Sequence, residues 1–123
     1  MKTSKDPRHQ RRVEVVKLLF AQSYAEQEEK NEKVDKILKE VDVLDKKIQK
    51  AAPAWPIDKL NKIDLAILRQ ASYELSNEDT PPKVIIDEAV ELAKEFGAES
   101  SPSFVNGVLG TLYNDIKETK KDE

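Results

Sequence analysis

A chain of 123 residues with 38% hydrophobic, 37% charged and only 6% aromatic residues has room for one hydrophobic core and is read as one domain over 1–123. The absence of cysteine excludes disulfide scaffolds, thiolate metal sites and cysteine nucleophiles, and the single histidine excludes a multi-histidine metal centre. The net charge of −3 conceals a partition: residues 1–12 carry five cations against one acid, a net of +4, which leaves −7 over the other 111 residues. Three glycines, few aromatics and abundant Glu, Lys, Leu, Ile and Val point to an all-α single domain. No apolar run approaches the roughly 20 residues of a membrane span, and the first twelve residues are too polar for a secretory signal. The expectation is therefore a soluble, cytoplasmic protein with no membrane partner.

Asp6-Pro7 has the chemistry of a helix start: a carboxylate to accept from free amides, then proline in the first turn. Val13, Val16, Leu19, Phe20, Ser23 and Tyr24 follow at helical spacing on one face, with Arg8 and Arg12 mostly off it. The basic arm of residues 1–7 thus leads into a packed helix, which holds its cations in a fixed array. Such an array binds phosphates by releasing counterions, and arginine adds stacking and bidentate contacts suited to RNA; a solvated charged tail is the plainer alternative. Charge alone does not choose between them.

Ala25–Lys33 has no apolar residue beyond alanine and reads as a solvated turn near Asn31. Neither Gly nor Pro enforces the stop, so one continuous helix to Lys50 is the alternative. Val34, Ile37, Leu38, Val41, Leu44 and Ile48 form the stripe of a second helix ending before Pro53. Trp55, the only tryptophan, lies in the connection that follows and is expected to wedge into the core edge rather than stack on a base. Residues 63–75 are apolar around most of a helix and mark a central, buried element, with Asp64 in or capping its first turn. After two prolines, Val84 to Phe96 define the next helix, closed by Gly97 as a left-handed cap. Ser101-Pro102 starts the last helix, whose stripe runs from Phe104 to Ile116; Gly107 inside it is expected to admit a close neighbour, and 117–123 is a frayed charged end.

Catalytic chemistry is not visible. Glu26, Glu28, Glu29 and Glu32 form a solvated cluster without histidine, Ser100, Ser101 and Ser103 have no general base nearby in sequence, and there is no glycine-rich phosphate loop. His9 sits in the basic arm, where a surface or phosphate-contacting role is expected. The chain is read as a non-enzyme without a cofactor or metal.

Three segments together resemble the NusB family of transcription antitermination factors. Residues 67–75 match I-L-R-x-A-x-Y-E-L, residues 81–97 (Pro-Pro-Lys-Val-Ile-Ile-Asp-Glu-Ala-Val-Glu-Leu-Ala-Lys-Glu-Phe-Gly) resemble the family's next segment, and residues 104–109 are its F-V-N-G-V-L. The basic start followed by Leu18-Leu19-Phe20 also fits. The resemblance implies a compact all-α bundle of about six helices that binds single-stranded boxA-like RNA together with NusE, a small-subunit ribosomal protein. The pair helps RNA polymerase in an antitermination complex read through terminators, notably in ribosomal RNA synthesis.

Carried over by motif, the RNA-contacting set is Lys2, Lys5, Arg8, His9, Gln10, Arg11, Arg12 and Lys17, with Ser100 and Phe104. Ser100 matches a position that is acidic in some relatives. Phe20, Tyr24 and Asp64 match positions that face NusE. The family leaves self-association as a homodimer open. Two departures stand out: about one helix is missing around Ala25–Lys33, and His9 and Gln10 stand where relatives often have arginines. A related fold serves as the RNA-binding domain of ribosomal RNA cytosine methyltransferases; that alternative requires a following cofactor-binding domain, and the chain ends at Glu123. A protein-only helical scaffold is the third reading.

Overall fold

The computed structural model describes residues 6–121, so Lys2 and Lys5 lie outside the described residues. Six α-helices follow in order: α1 Pro7–Gln22, α2 Glu32–Lys39, α3 Val41–Ala51, α4 Lys62–Asn77, α5 Pro82–Phe96 and α6 Ser101–Lys121, with a short 3₁₀ turn at Ile57–Lys59 between α3 and α4. The all-α expectation holds. Helix α4 is the axis of the bundle and touches every other α-helix. Eleven of its sixteen residues are buried, as its apolar sequence requires. Ile37, Leu44, Ile48, Ile67, Leu68, Ile85, Leu92, Leu109 and Leu112 are the large apolar side chains wholly removed from water. Each contributes about 1.5–3 kcal/mol on burial.

Helix starts follow the local chemistry. Asp6 accepts from the Arg8 amide at 2.8 Å, and this bond, together with the Arg8 side chain, holds its carboxyl below the usual carboxylate range. Asn31 caps α2 by accepting from the Val34 amide at 3.1 Å, so the turn reading of the polar run is correct and the continuous helix is excluded. Asn61 caps α4 through Ile63, which leaves Asp64 in the first turn as expected.

Four local expectations are corrected. The single helix expected over the stripe from Val34 to Ile48 is two helices, broken at Glu40 (φ −105°, ψ 8°). Helix α2 packs on α1 and α4 whereas α3 packs on α4 and α6, and one straight rod cannot serve both sets of neighbours. Gly97 is not left-handed: it is extended (φ −92°, ψ −171°), and its role is steric. A Cβ there would lie 2.6 Å from the Ser101 side chain and 2.8 Å from the Ala93 carbonyl oxygen. Gly107 meets nothing within 4 Å, so it admits no close neighbour within this chain. Ser101 is the first residue of α6 rather than a residue before it, and its Oγ accepts from the Ala98 amide at 2.9 Å; the helix then continues to Lys121, past the end of its apolar stripe.

Candidate nucleic-acid interface

The first turns of α1 carry cations in two directions. Arg12 turns inward. Its Nε and Nη2 donate to the two oxygens of Glu74 at 2.9 and 2.8 Å, a bidentate fork, and its Nη1 donates to Glu88 at 3.0 Å. Glu74 and Glu88 are each only 1% exposed, on α4 and α5. A buried carboxylate without a cation is prohibitively expensive, so these two acids require Arg12. Hydrogen bonding to Glu74, outweighing the opposing effect of burial, raises the Arg12 pKa further above its ordinary value. Gln70 also bonds Glu74, and Lys33 on α2 reaches Glu78 at 2.7 Å and Glu74 at 3.8 Å.

His9 belongs to the same network. It is 7% exposed, with Nδ1 3.3 Å from Glu88 and Nε2 3.2 Å from Glu95. The expected surface role for His9 is therefore corrected, and Arg12 does not lie off the packed face. Both follow from helical geometry: residues 9, 12, 16 and 19 share the stripe that Val16 and Leu19 bury. The network ties α1 to α2, α4 and α5 and fixes the orientation of the remaining cations.

Those cations point outward. Arg8 and Arg11 are exposed, and among the described residues the Arg8 guanidinium pairs only with its own cap, at 3.4 Å from Asp6. Together with Arg12, Glu14, Asn31, Lys33 and Thr80 they border a cleft of about 370 Å³. Gln10 is exposed beside them. Lys17, exposed two turns on, lies 5.6 Å from the centre of the Phe96 ring. A helix thus presents Arg8, Arg11 and Lys17 to solvent from a backbone locked by buried ion pairs.

The far end of α1 is aromatic. Phe20 and Tyr24 meet edge to face at 5.2 Å, Tyr24 is 66% exposed, and Lys62 lies 5.5 Å from the Tyr24 ring centre. With Lys17, Asn61, Ile63 and Phe96 they line a groove of about 410 Å³. Asp64 does not line that groove. It is buried, its Oδ1 has no hydrogen-bond partner, and burial raises its pKa, an effect the Ser101 hydroxyl only partly offsets.

Ser100 is exposed in the turn joining α5 to α6, and Phe104 is half-buried in the first turn of α6. Phe104 meets Trp55 edge to face, with ring centres 5.9 Å apart. Trp55 is 57% exposed, so the expectation that it wedges into the core is overturned.

Sequence reading missed Glu74, Glu88 and Glu95 as partners of the arm. The signal was available for the first two: Glu74 stands between Tyr73 and Leu75, Glu88 stands between Ile85 and Leu92 at core spacing, and an acid so placed needs a buried cation. Among the described residues no group of His, Asp or Glu is arranged to hold a metal ion, and no helix is long and apolar enough to cross a membrane.

The described helices thus form a six-helix bundle with an anchored basic first helix and an aromatic pair at the far end of that helix. The NusB family model matches residues 8–114, and the chain belongs to the NusB family. Its sequence is 48% identical over 86 residues to the transcription antitermination protein NusB of Dehalococcoides mccartyi, covering 69% of this chain and 60% of that one. The corresponding protein of Staphylococcus carnosus is 56% identical over 70 residues, covering 57% and 55%. The chain thus matches a little over half the length of these relatives. The T. maritima NusB structure superposes with a TM-score of 0.79 at 30% identity and covers 93% of both chains.

Proposed function

We propose that this chain is a cytoplasmic transcription antitermination adaptor that binds single-stranded, boxA-type RNA together with the ribosomal protein NusE. In this role it promotes read-through by RNA polymerase, above all in ribosomal RNA synthesis. The observation that carries the reading is the outward pair Arg8 and Arg11, bordering one cleft, on a helix pinned by Arg12 and His9, with Lys17 two turns on around the helix. A preformed array contacts phosphates without first ordering a tail, and arginine stacks on unpaired bases. Gln10, Ser100 and Phe104, with Lys2 and Lys5 upstream, extend the RNA face. His9 and Arg12 serve it indirectly, by holding the helix. The relatives named transcription antitermination protein NusB support the assignment.

The Phe20–Tyr24 groove is the proposed seat of the ribosomal protein. Its exposed tyrosine and partly buried phenylalanine form an aromatic anchor of the sort that dominates protein interfaces. Asp64, one residue beyond Ile63, is buried and does not line the groove, so the aromatic pair carries this assignment. The test is a gel-shift titration with boxA-like RNA, with and without the cognate ribosomal protein. Weak binding alone and tighter binding of the pair is the expected result. Binding that the ribosomal protein leaves unchanged would remove the groove assignment, and undetectable binding in both conditions would leave a protein-only scaffold.

A further inference from the structure

Trp55 is the feature that the packing of the bundle does not absorb. More than half of its surface is in water although it is the largest side chain in the protein. Its loop is held firmly. The Trp55 amide donates to the Ala52 carbonyl at 3.0 Å, and its own carbonyl accepts from Gln49 Nε2 at 2.9 Å. The same Gln49 side chain donates to the Ala52 carbonyl at 3.1 Å and accepts from the Ile57 amide at 3.0 Å. Pro53 and Pro56 stiffen the segment on either side. The ring is thus presented by a clamped loop and braced at 79° against Phe104.

The surrounding charge is basic. Residues 46–62 hold Lys46, Lys47, Lys50, Lys59 and Lys62 against Asp58 alone, a net of +4 in a protein whose total is −3. With residues 1–12 also at +4, everything else carries −11. Lys50 and Lys59, on either side of Trp55 in the chain, are exposed and make no ion pair among the described residues. An open aromatic ring and unpaired lysines close to it in the chain are the two elements with which proteins hold single-stranded nucleic acid: the ring takes a base and the cations follow the backbone.

We infer that Trp55, braced by Phe104 and flanked by Lys50 and Lys59, is a base-stacking platform for single-stranded RNA, a second contact apart from the arginines of α1. Gln49 is its positioning residue. The inference rests on the RNA-binding reading above and adds a residue and a mode of contact to it. Stacking releases few counterions, so the ring itself contributes affinity without changing the salt slope, which the arginines and the two lysines set.

Because Trp55 is the only tryptophan, its fluorescence reports the site directly. The probe is an unpaired 12-nucleotide RNA, titrated into the full chain and into Trp55→Leu, Trp55→Phe and Arg11→Ala, with the same titrations repeated by gel shift. Quenching should saturate at the Kd of the gel shift. Trp55→Leu should weaken binding about tenfold at an unchanged salt slope and melting temperature, Trp55→Phe should retain most of the affinity, and Arg11→Ala should flatten the slope. Salt-dependent, Arg11-sensitive binding with no quenching and with wild-type affinity in Trp55→Leu would overturn the platform and leave the proposed function standing. A ring that responds to the ribosomal protein but not to RNA would also overturn it, in favour of a protein contact. If no chain binds the RNA in either assay, the platform and the function it rests on fall together.

Discussion

Arg11 and Arg12 are adjacent, chemically identical and opposite in circumstance. Arg12 is clamped by two buried glutamates, while Arg11 stands in solvent. A helix turns 100° per residue, so neighbours in an arginine-rich start divide between scaffold and surface. The difference teaches that a basic segment in a sequence is not a count of ligand contacts. Part of its charge is consumed in holding the rest in place.

The comparison is broken most forcefully from the inside. Arg12→Ala leaves Glu74 and Glu88 buried without their guanidinium and should cost about 3–5 kcal/mol in urea unfolding. Replacing Arg12, Glu74 and Glu88 together by apolar residues of similar volume should recover much of that loss, since such a network is costly mainly when part of it remains. Equal losses for the single and triple variants would show that the network does more than compensate itself.

Two glycines extend the contrast between inner and outer faces. Gly97→Ala forces a methyl against Ser101 and the Ala93 carbonyl, and a loss of about 1–3 kcal/mol is expected. Gly107→Ala enters open space within a helix and should raise stability by about 1 kcal/mol. Thermal melts of the two variants should move in opposite directions.

Asp64 sharpens the comparison, being buried like Glu74 yet without a cationic partner among the described residues. Its folded pKa is raised, so the ionised form is disfavoured by folding. Its contribution is most favourable below the ordinary carboxylate value of 3.8 and is lost as pH rises through the folded pKa. Asp64→Asn should therefore stabilise the protein at neutral pH, with the gap over wild type closing as pH falls below the ordinary carboxylate value of 3.8. A gap independent of pH would refute the assignment. If Asp64 serves the ribosomal protein, the same substitution should weaken that complex while strengthening the fold.

Much of the fold was legible because helix periodicity is local. The stripes of α1, α4, α5 and α6, the Asp6-Pro7 start and the burial of residues 64–75 follow from spacing and cap chemistry alone. What was illegible depends on neighbours distant in sequence. The break at Glu40 exists because α2 and α3 answer to different helices, and no Gly or Pro announces it. Gly97 was read for its conformational freedom when its lack of a side chain mattered. The inward turn of His9 and Arg12 was readable in principle, since both stand on the Val16–Leu19 stripe. Their positive charge suggested solvent, and their acidic partners lie more than sixty residues away. Trp55 failed the other way: an indole suggests core, but the loop clamped by Gln49 carries it outward.

The central claim, that the outward cations of α1 bind RNA while the inward ones build the helix, is tested most directly by the salt dependence of RNA affinity. Log Kd is measured against log salt concentration for wild type and for Arg8→Ala/Arg11→Ala with the same single-stranded RNA. The account predicts a slope smaller in magnitude by about 1.4 in the double variant, roughly 0.7 per lost phosphate contact, with unfolding free energy within about 0.5 kcal/mol of wild type. An unchanged slope with intact folding would contradict it.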